Sequence, residues 1–158
     1  MRRRAGVEVV LPGEGRRLQL EHAVFDLNGT LTRDGELLPE VPELMEAVRH
    51  HYRCWILTAD TFGRARYWSD RLGVPVEVVQ DGREKAEWVR KLSGGVAAVG
   101  NGRNDVAMFA AATLAVAVLS PEGTAAEALR AADIVVPTIQ EALRLLVYPE
   151  RLIATLRE

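Results

Sequence analysis

Asp26 closes the apolar run Ala23-Val24-Phe25 and is followed by Leu27, Asn28, Gly29 and Thr30. A carboxylate delivered by a buried strand to a glycine-containing turn can serve as a nucleophile. The competing reading is a plain hairpin, because Asn-Gly between apolar runs is the strongest short-range signal for a two-residue turn. Further along, Thr58-Ala59-Asp60, Lys85 and the GNGRND segment at 100–105, with Asn101 and Asp105, place polar groups after other apolar runs. Each has an ordinary use on its own. Thr58 can cap a helix, Lys85 can be a solvated charge, and GNGRND can be only a turn. Whether they act together depends on the elements that position them.

From residue 22 onward, short apolar runs alternate with amphipathic stretches. The pattern predicts strands at 22–27, 54–58, 75–79, 96–100, 114–119 and 134–137, and helices at 41–51, 62–72, 83–92, 104–112, 124–132 and 139–147. Such alternation implies a doubly wound α/β domain, a Rossmann-like parallel sheet with helices on both faces. HAVFDL at 22–27 does not alternate apolar and polar as one strand of a solvent-facing hairpin would, and it suits a strand buried on both faces. Residues 1–21 are expected to add an amino-terminal β-hairpin, with VEVVL and RRLQL flanking the turn PGEG. Pro149 should end the last helix, leaving a tail at 149–158 able to form a short further one, all within a single domain of 158 residues. In open sheets of this kind ligands bind beyond the carboxyl ends of the strands, where strand order reverses. Asp26, Thr58 and Asn101 fall at such ends, and Lys85 lies early in the helix after the third strand.

Taken in this order, the motifs resemble those of the haloacid dehalogenase superfamily of phosphotransferases, most nearly the soluble relatives of the P-type ATPase phosphorylation domain. DLNGTLT is similar to the ATPase DKTGTLT, LTAD to its TGD segment, and VGNGRNDVAMFAAATLAVAV to its GDGxNDxxxLxxAxxxxAx pattern, so that the likeness runs from about 22 to 137. It implies a phosphoric-ester hydrolase in which Asp26 forms an aspartyl phosphate. It further implies that Thr58, the amide of Ala59 and Lys85 bind the phosphoryl oxygens, with Thr30 supporting the loop or touching the phosphate. Mg2+ would be held by an Asp26 oxygen, the Asn28 backbone carbonyl and side chains of Asn101 and Asp105. Two positions depart from the family pattern. Asn28 stands where an aspartate usually exchanges protons with the leaving group and with water, and Asn101 stands where an acid commonly binds the metal. Dephosphorylation should therefore be slow and magnesium affinity low, and a regulatory module that binds phosphate or metal without turnover is the second reading. The segments 31–57 and 59–84 leave no room for a cap domain, and TRDGELLPE at 32–40 is at most a small flap. An open site suits a phosphorylated macromolecule as well as a small molecule.

Composition narrows the field further. A formal net charge of -2 does not suggest a nucleic-acid binder. FAAATLAVAVL at 109–119 is too short to span a bilayer, and MRRR is followed by no signal-peptide core, so no membrane partner and a cytoplasmic location are expected. Cys54 stands alone and reads as a small core residue, and His22, His50 and His51 show no ligand spacing. The hairpin and the apolar Leu152, Ile153 and Leu156 of the tail could make contacts in a homo-oligomer.

Overall fold

The computed structural model describes residues 6–13, 15–59 and 63–158. The basic tip at 1–5, Glu14 of the expected hairpin turn, Asp60 of the second motif, and Thr61 and Phe62 lie outside the described residues. Val7–Leu11 (β1) and Arg16–Leu20 (β2) pair antiparallel, with Val9, Leu11, Leu18 and Leu20 turned inward between exposed neighbours. That period of two lays one face of the expected hairpin on the core.

The central sheet begins with His22–Asp26 (β3). A two-stranded flap, Thr32–Arg33 (β4) and Glu36–Leu37 (β5), and the helix Val41–Arg49 (α1) lead to Arg53–Thr58 (β6). The helix Ala65–Leu72 (α2) then leads to Val76–Val78 (β7), and the helix Gly82–Arg90 (α3) to Val96–Gly100 (β8). A short helix, Val106–Ala111 (α4), precedes Leu114–Val118 (β9), and Ala126–Ala131 (α5) precedes Ile134–Val136 (β10). Ile139–Val147 (α6) and Pro149–Leu156 (α7) complete the chain, with Pro149 tolerated in the first turn of α7 because its missing N–H has no helical partner there. The expected helix at 104–112 is shorter than its apolar pattern suggests. Residues Arg103–Asp105 form a 3-10 turn, because Asp105 bonds back to the amides of Asn101 and Gly102.

The six strands are parallel in the order β10-β9-β8-β3-β6-β7. Connections first step outward from β3 to β6 and β7, then return across β3 to β8 and step the other way. Right-handed crossovers therefore put α1 and α2 on one face, and α3, α4 and α5 on the other. The packing agrees: Ala23, Phe25 and Ile56 join α1, α2, α6 and the hairpin in one apolar cluster, and Cys54 is buried within it. On the opposite face Val24, Leu57 and Ala98 join Val89 of α3, Met108 and Phe109 of α4 and Ala128 of α5. β3 is buried along its whole length, as a strand covered on both faces must be. Leu152 of α7 is buried, and Ile153 and Leu156, which keep some exposed surface, pack against the same cluster as β1. Between β3 and β6 the structure has only the flap and α1, and the described residues between β6 and α3 form only α2 and β7, so nothing resembles a cap. Among the described residues, no helix is long and apolar enough to cross a membrane.

Candidate active site

The reversal of strand order falls between β3 and β8, and it opens a crevice beyond their carboxyl ends. Asp26 ends β3 on one side of it, and Asn101 follows β8 on the other. After Asp26 the chain folds into a tight loop in which the Leu27 carbonyl accepts from the amides of Thr30, Leu31 and Thr32. Asn28-Gly29 belongs to this loop and not to a hairpin. Gly29 is required there, because its φ is +79° and a Cβ would lie 2.7 Å from Nδ2 of Asn101. Gly100 is needed for a related reason, since a Cβ would run into the Asp105 carboxylate.

The expected site residues converge. Lys85, carried one turn into α3, donates from Nζ to Oδ1 of Asp26 at 2.8 Å and to Oδ1 of Asp105 at 2.9 Å. Asp105 accepts at Oδ2 from the amides of Asn101 at 2.9 Å and Gly102 at 3.0 Å. Thr30 Oγ1 lies 3.1 Å from Oδ2 of Asp26 and 3.0 Å from Oδ1 of Asn101. Lys85 and Asp105 are fully buried and Asp26 is 6 % exposed. Thr58 is buried at the end of β6, one residue beyond Leu57, which stands opposite Asp26 in the sheet. Ala59 follows it and is exposed. Asn28 is also exposed, and its side chain forms no hydrogen bond among the described residues.

Burial pushes the Asp26 carboxyl from its ordinary 3.8 up to about 6, with the charge of Asp105 acting in the same direction and Lys85 and Thr30 against it. For Lys85, burial acts downward, but the charges of Asp26 and Asp105 and its bonds to both outweigh it and hold the ammonium above its ordinary value. The site thus contains a permanent cation gripped by two carboxylates. Of these, Asp26 is the one that keeps some exposed surface.

The oxygens beside Thr30 bear on the metal. Asn101 donates from Nδ2 to the Gly123 carbonyl at 3.0 Å, which turns its Oδ1 toward Thr30. Oδ2 of Asp26, Oδ1 of Asn101 and Oγ1 of Thr30 therefore converge with a single hydroxyl proton among them, and no backbone amide of the loop bonds to the Asn28 carbonyl. Such a cluster of hard oxygens fits Mg2+, which takes few protein ligands and keeps waters. Asp105, expected among the ligands, has both oxygens engaged by Lys85 and by amides. Among the described residues there is no cluster of three or more His, Cys, Asp and Glu side chains that could hold a metal.

Two features lie outside what the motifs indicated. Oδ1 of Asn104 sits 3.4 Å from Nζ of Lys85. The loop between β9 and α5 also closes over Asn101. The Ala125 amide bonds to the Asn101 carbonyl at 2.9 Å, and Oε2 of Glu122 accepts from the flap amide of Asp34 at 2.9 Å. The SPEGT segment at 120–124 reads as a turn, but nothing in its composition says that it reaches the flap.

No family model matches the chain. An uncharacterized protein of Methanocaldococcus jannaschii is 40% identical over 63 residues, which cover 40% of this chain and 68% of that protein. Among solved structures, the 3-deoxy-D-manno-octulosonate 8-phosphate phosphatase of Moraxella catarrhalis, in complex with magnesium ion, phosphate ion and KDO, superposes with a TM-score of 0.68 at 14% identity, over 87% of this chain and 94% of that one. A zinc-transporting PIB-type ATPase gives 0.66 at 24% identity, over 75% of this chain but only 20% of the transporter. At these identities the likeness to solved structures is one of fold.

Proposed function

We propose that the chain, which is in one family with the uncharacterized Methanocaldococcus jannaschii protein, is a member of the haloacid dehalogenase superfamily without a cap and a phosphatase or phosphotransferase acting through phosphorylated Asp26. The observation that carries this reading is the setting of Asp26 at the strand-order reversal, with Nζ of Lys85 at 2.8 Å on one oxygen and the Thr30 hydroxyl at 3.1 Å on the other. The contact with both a cation and a hydroxyl favours this over a module that merely binds phosphate.

In the first step, an Asp26 oxygen bonds to phosphorus as the bond from phosphorus to the leaving oxygen breaks, the two oxygens lying in line. Lys85 offsets the repulsion between the incoming phosphoryl group and the carboxylate. Thr58 and the amide of Ala59 are assigned to the phosphoryl oxygens as donors. In the second step, water attacks phosphorus, the bond to Asp26 breaks and phosphate departs. The Asn28 amide can neither protonate the leaving oxygen nor take the proton of water, so solvent must do both and the second step lags. Asp26, Asn101 and the Asn28 carbonyl would hold Mg2+, which when bound supplies positive charge to the transferred phosphoryl group. Asp105 is kept out of that set as the partner of Lys85.

Intact-mass measurement after incubation with acetyl phosphate and magnesium tests the reading. One phosphoryl group should add to the wild-type chain, and none to Asp26→Asn. A wild-type chain that neither gains mass nor releases phosphate would overturn it.

A further inference from the structure

Beside the catalytic centre, an open groove of about 590 Å³ runs between α3 and α4. Its floor is apolar, from Ala86, Ala107 and Ala110, and Arg83, Arg90 and Arg103 stand along it. Asn104 lines the end of the groove that meets the site, and its Oδ1 is the group 3.4 Å from Nζ of Lys85. Among the described residues, Arg83 and Arg103 pair only with exposed Glu87 and Glu127, at 3.4 Å and 3.2 Å. Such solvated pairs are worth little and exchange partners readily. Arg90 has no carboxylate partner among the described residues.

Resting on the phosphoryl-transfer reading, we propose that this groove docks an acidic peptide segment flanking a phosphorylated side chain, so that the substrate is a phosphoprotein. With Asp26 only 6 % exposed, little beyond the phosphoryl group itself can reach it, and without a cap the recognition surface must lie outside the site. The groove is the adjoining surface, and its charge is complementary to acidic residues. From Lys85 to Arg90 along α3 is roughly 7 Å at 1.5 Å per residue. An extended peptide covers this in two or three residues at about 3.3 Å each, which places the acidic side chains two or three positions from the phosphorylated one. The apolar floor suits peptide side chains. A nucleic acid would instead need many backbone cations, and the groove has three.

Fluorescence anisotropy with labelled phosphoserine peptides tests the proposal without requiring turnover. A peptide with glutamates two and three residues from the phosphoserine should bind roughly tenfold tighter than its lysine counterpart, the size expected of two solvent-facing charge pairs. Arg83→Glu/Arg90→Glu should erase that preference, and added salt should weaken it. Equal affinities, or a preference untouched by the double variant, would overturn the groove. So would a single-stranded oligonucleotide that outcompetes the acidic peptide. Phosphorylation of Asp26 by acetyl phosphate in the same preparation separates the two readings. Labelled Asp26 without peptide preference refutes the groove alone, and peptide preference with neither labelling nor phosphate release sustains the groove while refuting phosphoryl transfer.

Discussion

A water molecule attacking phosphorus must lose a proton, and beside Asp26 the place expected of the acceptor is held by Asn28, whose amide cannot take it. Positioned acid-base catalysis is worth about 10² to 10⁴ in rate, so Asn28→Asp should speed turnover by roughly tenfold or more. Rapid-quench kinetics should show a burst of phosphoenzyme in the wild type and a smaller one in the variant, and a variant no faster would mean that another group activates water. Asp26 also bears on stability. Between about 3.8 and 6, the folded chain keeps a proton on Asp26 that the unfolded chain has lost, so stability falls as pH rises through that window. Above it the buried charge costs up to about 3 kcal/mol. In chelator at about pH 7.5, Asp26→Asn should therefore melt several degrees above wild type, and near pH 4 the two should coincide. A wild-type protein that melts as high as the variant at neutral pH would show that Lys85 fully offsets the burial of the carboxylate. The converging residues were legible in the sequence because, taken in order, they match the motifs of the superfamily that the chain resembles, while each alone has an ordinary reading. Asn104 and Glu122 were not, since a polar residue in a turn looks the same whether it faces solvent or a lysine.

At the scale of elements, α3 does the aiming. Asp81 caps it, with Oδ1 accepting from the Glu84 amide at 2.9 Å, while Glu84 accepts from the Gln80 amide at 2.6 Å, and Lys85 follows immediately. Losing such a cap costs about 1 kcal/mol. Asp81→Ala should lower the melting temperature accordingly and also slow phosphorylation of Asp26, because the first turn that directs Lys85 would fray. If stability drops while the phosphorylation rate holds, the cap is not what positions Lys85. Hairpins were harder to place. Four dipeptides, Asn28-Gly29, Asp34-Gly35, Asp81-Gly82 and Asn101-Gly102, carry the turn signature, and only the second makes a hairpin, the one between β4 and β5, with φ of 52° at Asp34 and 82° at Gly35. Both values are positive, as a type I′ turn requires. Local chemistry cannot choose between such pairs; the choice follows from β3, whose burial on both faces leaves Asp26 to open a loop.

Across the whole molecule, alternation of apolar runs was enough to predict a doubly wound sheet, because each parallel strand needs a crossover to the next. Strand order and the packing of the ends were not legible, since they depend on contacts distant in sequence. The tail illustrates this. Its apolar residues looked available to another subunit, yet Leu152 is buried in the same cluster as the amino-terminal hairpin. Leu152→Ala should cost about 2–5 kcal/mol in urea denaturation, the usual range for a buried leucine. A loss below about 1 kcal/mol would mean that the site collapses around the smaller side chain. The opposite face holds a pair of tryptophans. Trp55 on β6 meets Trp88 on α3 edge to face, with ring centroids 5.0 Å apart, and is fixed by a bond from Nε1 to Nδ1 of His22 at 3.2 Å. The strand that ends in Thr58 and the helix that carries Lys85 thus share an aromatic contact. Trp68 lies in the other cluster, beneath the Arg64 guanidinium. The chain consequently contains its own optical gauge: a shift of α3 against the sheet during a catalytic cycle would change the emission of the Trp55–Trp88 pair, with Trp68 as a steadier internal reference.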